Sequence, residues 1–216
     1  MWHELDYPWQ KAFELAWTSF KQNTIPIGSV IVDEHGSIVC EGRNRIYDVE
    51  SQHPLTGTTM AHAEMTAMSQ LKIADHPNIR SYTLYSTMEP CPMCFGACVM
   101  VNIRHVCFAA HDGFAGATSL NDKLDYIKSK KINVSFAGEK VQAFQLILQS
   151  AFETQRNHPR VLDILSAWSK IDQVAVDLGQ KLSGNDVFDH SRKIEEVFND
   201  VMQRYDEIKY DFLKRN

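Results

Sequence analysis

The stretch Glu89-Pro90-Cys91-Pro92-Met93-Cys94 decides how the rest of this 216-residue chain is read. Two cysteines three positions apart at the opening of a helix present both sulfurs on one helical face, within reach of a single metal ion. Pro90 and Pro92 suit the first turn of a helix and not its interior, and the apolar run Phe95 to Val101 carries that helix onward. A thiol at a helix start sits where the backbone dipole favours negative charge, so the thiolate that zinc requires forms more readily there.

The matching half lies upstream, at His62-Ala63-Glu64. His62 offers an imidazole nitrogen. Glu64, two residues on, is too close for a comfortable second ligand to the same ion and is well placed to move the protons of a water. Three protein ligands with a fourth position open is the catalytic zinc arrangement, whereas structural sites close with four. A Cys-x-x-Cys alone leaves redox and structural-zinc readings open. The ordered combination of His-x-Glu followed by Pro-Cys-x-x-Cys is the recorded signature of zinc-dependent base deaminases.

Bulk properties set limits. The length suffices for one good core with an appendage. A net charge of −5 provides no overall basic footprint for non-specific nucleic-acid binding. The five cysteines (40, 91, 94, 98 and 107) are an odd number, two of them at metal spacing, which fits a reducing cytoplasm. Met1 to Asp6 has neither the basic nor the apolar region of a signal peptide, and no run approaches membrane-spanning length.

Along the chain, Trp9 to Lys21 repeats its aromatics at helical spacing and reads as an amphipathic core helix. Ser29 to Asp33 and Ser37 to Arg43 read as a hairpin turning at His35-Gly36, with Asn44 at its end. Ile46 to Thr59 is a polar loop in which His53 reads as a solvated histidine, and Thr58-Thr59 supplies an N-cap for a helix over Ala61 to Ile73. Strands are predicted over Ser81 to Thr87 and His105 to Ala109 on either side of the cysteine helix, with Cys40, Cys98 and Cys107 as core residues. A helix over Ser119 to Lys131, a strand over Asn133 to Ala137 and a helix over Glu139 to Gln155 follow. This alternation predicts an α/β class, a sheet with helices on both faces. Beyond Asn157, Val161 to Leu182 and Val187 to Leu213 read as two long amphipathic helices parted by Ser183-Gly184-Asn185, with no catalytic signature. The expected organisation is a domain over 1–156 and a helical hairpin over 157–216, which could pack on the first domain, build a dimer interface or cap the site.

From Ile25 to about Leu120 the chain resembles the cytidine/deoxycytidylate deaminase superfamily, and within it the branch of tRNA-adenosine and guanine deaminases. The resemblance rests on Ile25-Pro26-Ile27-Gly28-Ser29-Val30, Glu41-Gly42-Arg43-Asn44-Arg45, Ala61-His62-Ala63-Glu64 and Glu89-Pro90-Cys91-Pro92-Met93-Cys94. Gly116-Ala117 with Ser119-Leu120 matches the tRNA-adenosine deaminase pattern. The resemblance implies a three-layer α/β/α fold with a mixed sheet, here carrying a C-terminal α-helical extension. It implies zinc on His62, Cys91 and Cys94, Glu64 as catalytic proton shuttle, and Asn44 with the backbone of Ala63 and Glu89 as substrate contacts. It also implies a homodimer. Two departures stand out: the Asn44 to His62 loop is longer than usual in the branch, and the basic tail of tRNA-acting members is missing.

The function so implied is hydrolytic deamination of a nucleobase or nucleoside, releasing ammonia and needing no organic cofactor. The acidic balance and long loop favour a small-molecule substrate. A tRNA-adenosine deaminase is the first alternative, with Lys123, Lys128, Lys130, Lys131 and Lys140 as its candidate basic patch. A non-catalytic zinc-stabilised binding module is the second, and Glu64 argues against it, because a structural site needs no proton shuttle.

Overall fold

A computed structural model describes residues 1–50 and 52–215; Ser51, inside the polar loop, and Asn216 lie outside the described residues. The sheet has five strands in the order β2-β1-β3-β4-β5. β1 (Gly28–Val32) pairs antiparallel with β2 (Ile38–Arg43) and with β3 (Thr83–Met88). β3 pairs parallel with β4 (His105–Ala110), and β4 parallel with β5 (Asn133–Phe136). The sheet is therefore mixed, as expected. The parallel connection from β3 to β4 runs through the cysteine helix α3 (Pro92–Val101), and that from β4 to β5 through the shorter α4 (Asp125–Lys130). Crossovers of this kind bury both faces of a sheet.

The strand period of two sends neighbouring side chains to opposite layers. Leu84 and Val106 join Phe95, Cys98 and Val99 of α3 and Ala67 and Met68 of α2 (Ala63–Met68) in one apolar cluster. Tyr85 and Cys107, one position along, meet the opposite cluster formed by α1 (Tyr7–Lys21) and α5 (Glu139–Arg156). Trp9 meets Tyr85 edge-on at 5.1 Å, and Phe13 meets Phe144 of α5 at 5.3 Å. The result is a three-layer α/β/α sandwich.

The last two helices, α6 (Val161–Leu182) and α7 (Ile194–Arg215), add to the α1/α5 layer and share its core through Leu165, Trp168, Val197, Phe198 and Val201. The Phe198 ring lies tilted, 4.6 Å from that of Phe144, so the hairpin is anchored in the main core.

Four local expectations are corrected. The helix predicted over Ala61 to Ile73 spans only Ala63–Met68, and its N-cap is His62, not Thr58 or Thr59. Beyond Met68 the side chains of Ser69 and Gln70 take the Thr66 carbonyl that a further helical turn would use. The predicted helix over Ser119 to Lys131 divides into a 3-10 turn, Thr118–Asp122, and α4. Within α6 Asp172 is non-helical (φ −150°, ψ 93°), where its carboxylate caps Ala175 N at 2.9 Å and accepts from Tyr205 of α7 at 2.6 Å. The final helix starts at Ile194 instead of Val187, because Asn185 and Asp189 turn the preceding backbone through side-chain hydrogen bonds to Val187 N and Ser191 N.

Candidate active site

Two helix starts face each other at one end of the sheet. His62 is the extended N-cap residue of α2, and Cys91 is the extended N-cap residue of α3, with Pro92 opening the helix. α2 can lie close to β2 because Gly42 has no side chain; a Cβ there would stand 2.1 Å from the Ala63 carbonyl oxygen. The sequence thus fixes where the His-x-Glu segment docks.

His62 Nδ1 lies 3.6 Å from Cys91 Sγ, and the ligand atoms of His62, Cys91 and Cys94 all fall within 4.8 Å of one another. Ligands at about 2.0–2.3 Å on a tetrahedral zinc stand roughly 3.5–3.8 Å apart, so this donor set fits that ion with little adjustment. Two soft sulfurs and one imidazole are also the chemistry zinc prefers. The thiol of Cys94 draws Cys91 down to about 4 by donating to it, and His62 adds to the effect against burial. Cys94 moves up for the same reason, with burial adding. Burial works against a charged His62, but its bond to Cys91 and the nearby Glu64 carry it upward on balance.

Glu64 is 4 % exposed, and that burial pushes its carboxyl upward against the pull of His62. Ser86 of β3 donates to Glu64 Oε1 at 3.2 Å and holds the group in place. A buried carboxyl of raised pKa beside a metal-ligand set is suited to taking and returning a proton.

Asn44 is 1 % exposed and closely fixed. Its side-chain oxygen accepts from Thr24 Oγ1 at 2.8 Å and Ile46 N at 3.1 Å, and its backbone N–H bonds Ile27 O at 3.0 Å. The amide is thereby oriented with its NH2 group free of protein partners among the described residues.

A cavity of about 200 Å³ collects these groups. Asn44, His62, Glu64, Glu89 and Cys91 line it. Cys94 is fully buried behind Cys91, and Ala63, also fully buried, does not line the cavity. The Glu89 side chain is occupied elsewhere: its carboxylate accepts from Thr118 N at 3.1 Å and Asp112 N at 3.2 Å, pinning the loop after β4. His53 packs against α2 near Thr66 and Ser69, half-buried instead of solvated. Cys98 is fully buried beside Met68, away from the ligand set. None of the five candidate lysines lines the cavity, and Lys140 pairs with Glu4 at 3.0 Å.

The rest of the wall was not singled out by motif. Besides Ile25, Ile27 and Met88, it comes from the loop after β4 (Asp112, Phe114), from α5 (Gln149, Glu153, Arg156), from His158 and from α6 (Trp168). Trp168 donates its indole N–H to Asp112 at 2.9 Å. Burial pushes the Asp112 carboxyl upward, with that bond opposing. A Cβ on Gly113 would stand 2.8 Å from the Ala167 carbonyl, so α6 lies directly on the loop. The sequence did hold a signal: Gln142, Gln145, Gln149 and Glu153 recur at helical spacing on a helix that is apolar on its other faces, and all are buried.

The family model for the cytidine and deoxycytidylate deaminase zinc-binding region matches residues 3–110. A tRNA-specific adenosine deaminase of Rickettsia bellii is 30 % identical over 123 residues, 56 % of this chain and 79 % of that protein. One from Streptococcus pyogenes serotype M18 is 37 % identical over 120 residues, covering 54 % of this chain and 70 % of it. A tRNA(Ile)-lysidine synthase of Deinococcus radiodurans is 32 % identical over 108 residues, 50 % of this chain but 17 % of the synthase. The structure of a guanine deaminase from Nitrosomonas europaea superposes with a TM-score of 0.50 at 19 % identity, covering 68 % of this chain and 85 % of that one. A diaminohydroxyphosphoribosylaminopyrimidine deaminase/reductase from Thermotoga maritima gives a TM-score of 0.52 at 22 % identity, over 75 % of this chain and 42 % of that one. These two likenesses establish the fold. The chain belongs to the cytidine and deoxycytidylate deaminase family, and its class is that of a zinc-dependent hydrolytic deaminase.

Proposed function

We propose that this deaminase acts on a free nucleobase or nucleoside, with His62, Cys91 and Cys94 as zinc ligands, Glu64 as proton shuttle and Asn44 as a substrate contact. The observation that carries this reading is the buried Glu64 carboxyl in one small cavity with two of the ligands and the fixed Asn44 amide. Zinc held by the three ligands supplies the acidity that makes a water nucleophilic near neutral pH. Glu64 takes a proton from that water as its oxygen attacks the ring carbon bearing the amino group. It passes that proton to the adjacent ring nitrogen, then takes the second proton, from the hydroxyl newly attached to the ring carbon, and delivers it to the departing amine as the carbonyl forms. One water is consumed, the C–N bond breaks, and a carbonyl base and ammonia leave. The Asn44 NH2 group donates to an acceptor on the substrate, while the backbone of Glu89 borders the base edge.

The reading treats 1–156 as the deaminase domain and 157–216 as a helical extension. A homodimer is part of it, supported by the exposed apolar residues Ile73, Met100 and Tyr126. A cytoplasmic setting is supported by five free cysteines. Among the described residues no helix is long and apolar enough to cross a membrane. A second reading, deamination of adenosine within tRNA, is favoured by the two tRNA-specific relatives. Zinc content and ammonia release from the purified protein and from Glu64→Gln test the proposal: one zinc in both and turnover only in the first is expected, and equal turnover in both would overturn it.

A further inference from the structure

Among the polar side chains on the cavity wall beyond residue 110, none of which the reaction as described uses, Gln149 and Glu153 stand out. Glu153 is 3 % exposed and Gln149 is 5 % exposed, one turn apart on α5, and both line the cavity with Glu64 and Asn44. Each is held at one end by the protein. Glu153 Oε2 accepts from His158 Nε2 at 2.7 Å and lies 3.9 Å from Arg156. Gln149 Oε1 accepts from Gln145 Nε2 at 2.9 Å, and Gln145 is in turn fixed on Pro26 O at 3.0 Å. The other ends, Glu153 Oε1 and Gln149 Nε2, have no hydrogen-bond partner among the described residues.

Both residues face the cavity, and neither of these atoms is sealed from solvent, so a ligand that displaces water there must replace its hydrogen bonds. Elsewhere on the same helix Phe144, Leu146 and Leu148 are buried and apolar, whereas this part presents an amide and a carboxylate to the cavity. The unmet pair therefore fits a ligand that offers a donor to Glu153 and an acceptor to Gln149. The cavity is small: about 200 Å³ is roughly seven water volumes. Drug-sized ligands occupy about 300–1,000 Å³. A single heterocycle suits that space.

We infer that Glu153 and Gln149 form a base-recognition wall that selects a free amino-bearing nucleobase, its ring N–H bonding Glu153 Oε1 and its neighbouring ring nitrogen or carbonyl accepting from Gln149 Nε2. The ring N–H that a sugar replaces is present in a free base and absent from the corresponding riboside. Glu153 thus separates free bases from nucleosides and from bases embedded in RNA. The inference rests on the deaminase reading of this site and narrows its substrate class. His158 and Arg156 are positioning residues, because they act on the base only through the Glu153 carboxylate.

Binding is measured on the zinc-loaded chain by calorimetry and by quenching of its intrinsic tryptophan fluorescence. The probes are adenine, cytosine, 2,6-diaminopurine and 8-azaguanine, the ribosides adenosine and cytidine, and a tRNA anticodon stem-loop. At least one free base is expected to bind more tightly than any riboside or the RNA. Glu153→Gln and, independently, Gln149→Leu are each expected to weaken that base by about ten- to a hundredfold while zinc content stays unchanged. A wild-type chain that binds a base but is indifferent to both substitutions overturns the wall alone. Equal or tighter binding of a riboside or of the stem-loop also overturns it, with the deaminase reading intact. Binding of none of the probes overturns both.

Discussion

The two halves of this chain contribute to one cavity in different ways. Residues 3–110, the part that matches the family model, bring the three residues placed to hold a metal ion, the buried Glu64 and Asn44. These groups sit at helix starts and strand ends, where a few residues in fixed local geometry suffice. Residues 112–168 bring the opposite wall, and do so by long-range packing: Trp168 on Asp112, Gly113 under Ala167, Glu153 facing in from α5. The contrast teaches that the chemistry and its enclosure are separable. On the function proposed above, the first half carries the reaction and the second decides what is admitted.

That separation can be broken in order of expected effect. Glu64→Gln acts on the first half alone and should lower turnover by about 10²–10⁴-fold, the usual contribution of a positioned proton carrier. Zinc content, read by atomic absorption, should not change, and loss of the metal would mean that Glu64 is structural. Trp168→Ala acts on the second half. It removes a large buried ring and should destabilise the fold by about 3–5 kcal/mol in chemical denaturation. Trp168→Phe keeps the bulk and loses only the bond to Asp112, at about 1 kcal/mol. If the second half shapes the cavity, the Phe variant raises KM with little change in kcat; an unchanged KM would reduce the extension to a packing element.

The first half was legible in the sequence because its signals are local. A proline-flanked Cys-x-x-Cys, a His-x-Glu and strand alternation around Leu84 and Val106 require no knowledge of distant contacts. The second half was not, because its signals depend on what lies opposite. Asp172 reads as one more polar residue on an amphipathic helix until Tyr205 of α7 meets it and the helix breaks. The Gln142 to Glu153 stripe is polar in sequence, and only the fold shows that it turns to Pro26 and the cavity instead of to solvent. The shortening of α2 had a similar origin, since Gln70 leaves the helix to bond Glu41 O on the neighbouring strand as well as Thr66 O.

Smaller changes sharpen the comparison at the boundary between the halves. Asn44→Ala leaves Thr24 and Ile46 without their acceptor and should destabilise by about 1–3 kcal/mol, with KM rising if the amide contacts substrate. Arg156→Ala removes the guanidinium 4.3 Å above the Tyr47 ring, a contact between α5 and the loop after β2. At this partly exposed position the loss should be about 0.5–1 kcal/mol by thermal melting. A much larger loss would show that the long loop depends on α5 for its fold.

The most direct measurement is the rate of ammonia release by the zinc-loaded chain with free amino-bearing bases, with their ribosides and with a tRNA anticodon stem-loop, each against Glu64→Gln. The account predicts release from at least one free base, abolished by the substitution, and slower release from its riboside and from the RNA. Release confined to the stem-loop would contradict it, because the wall built by the second half would then have no part in choosing the substrate.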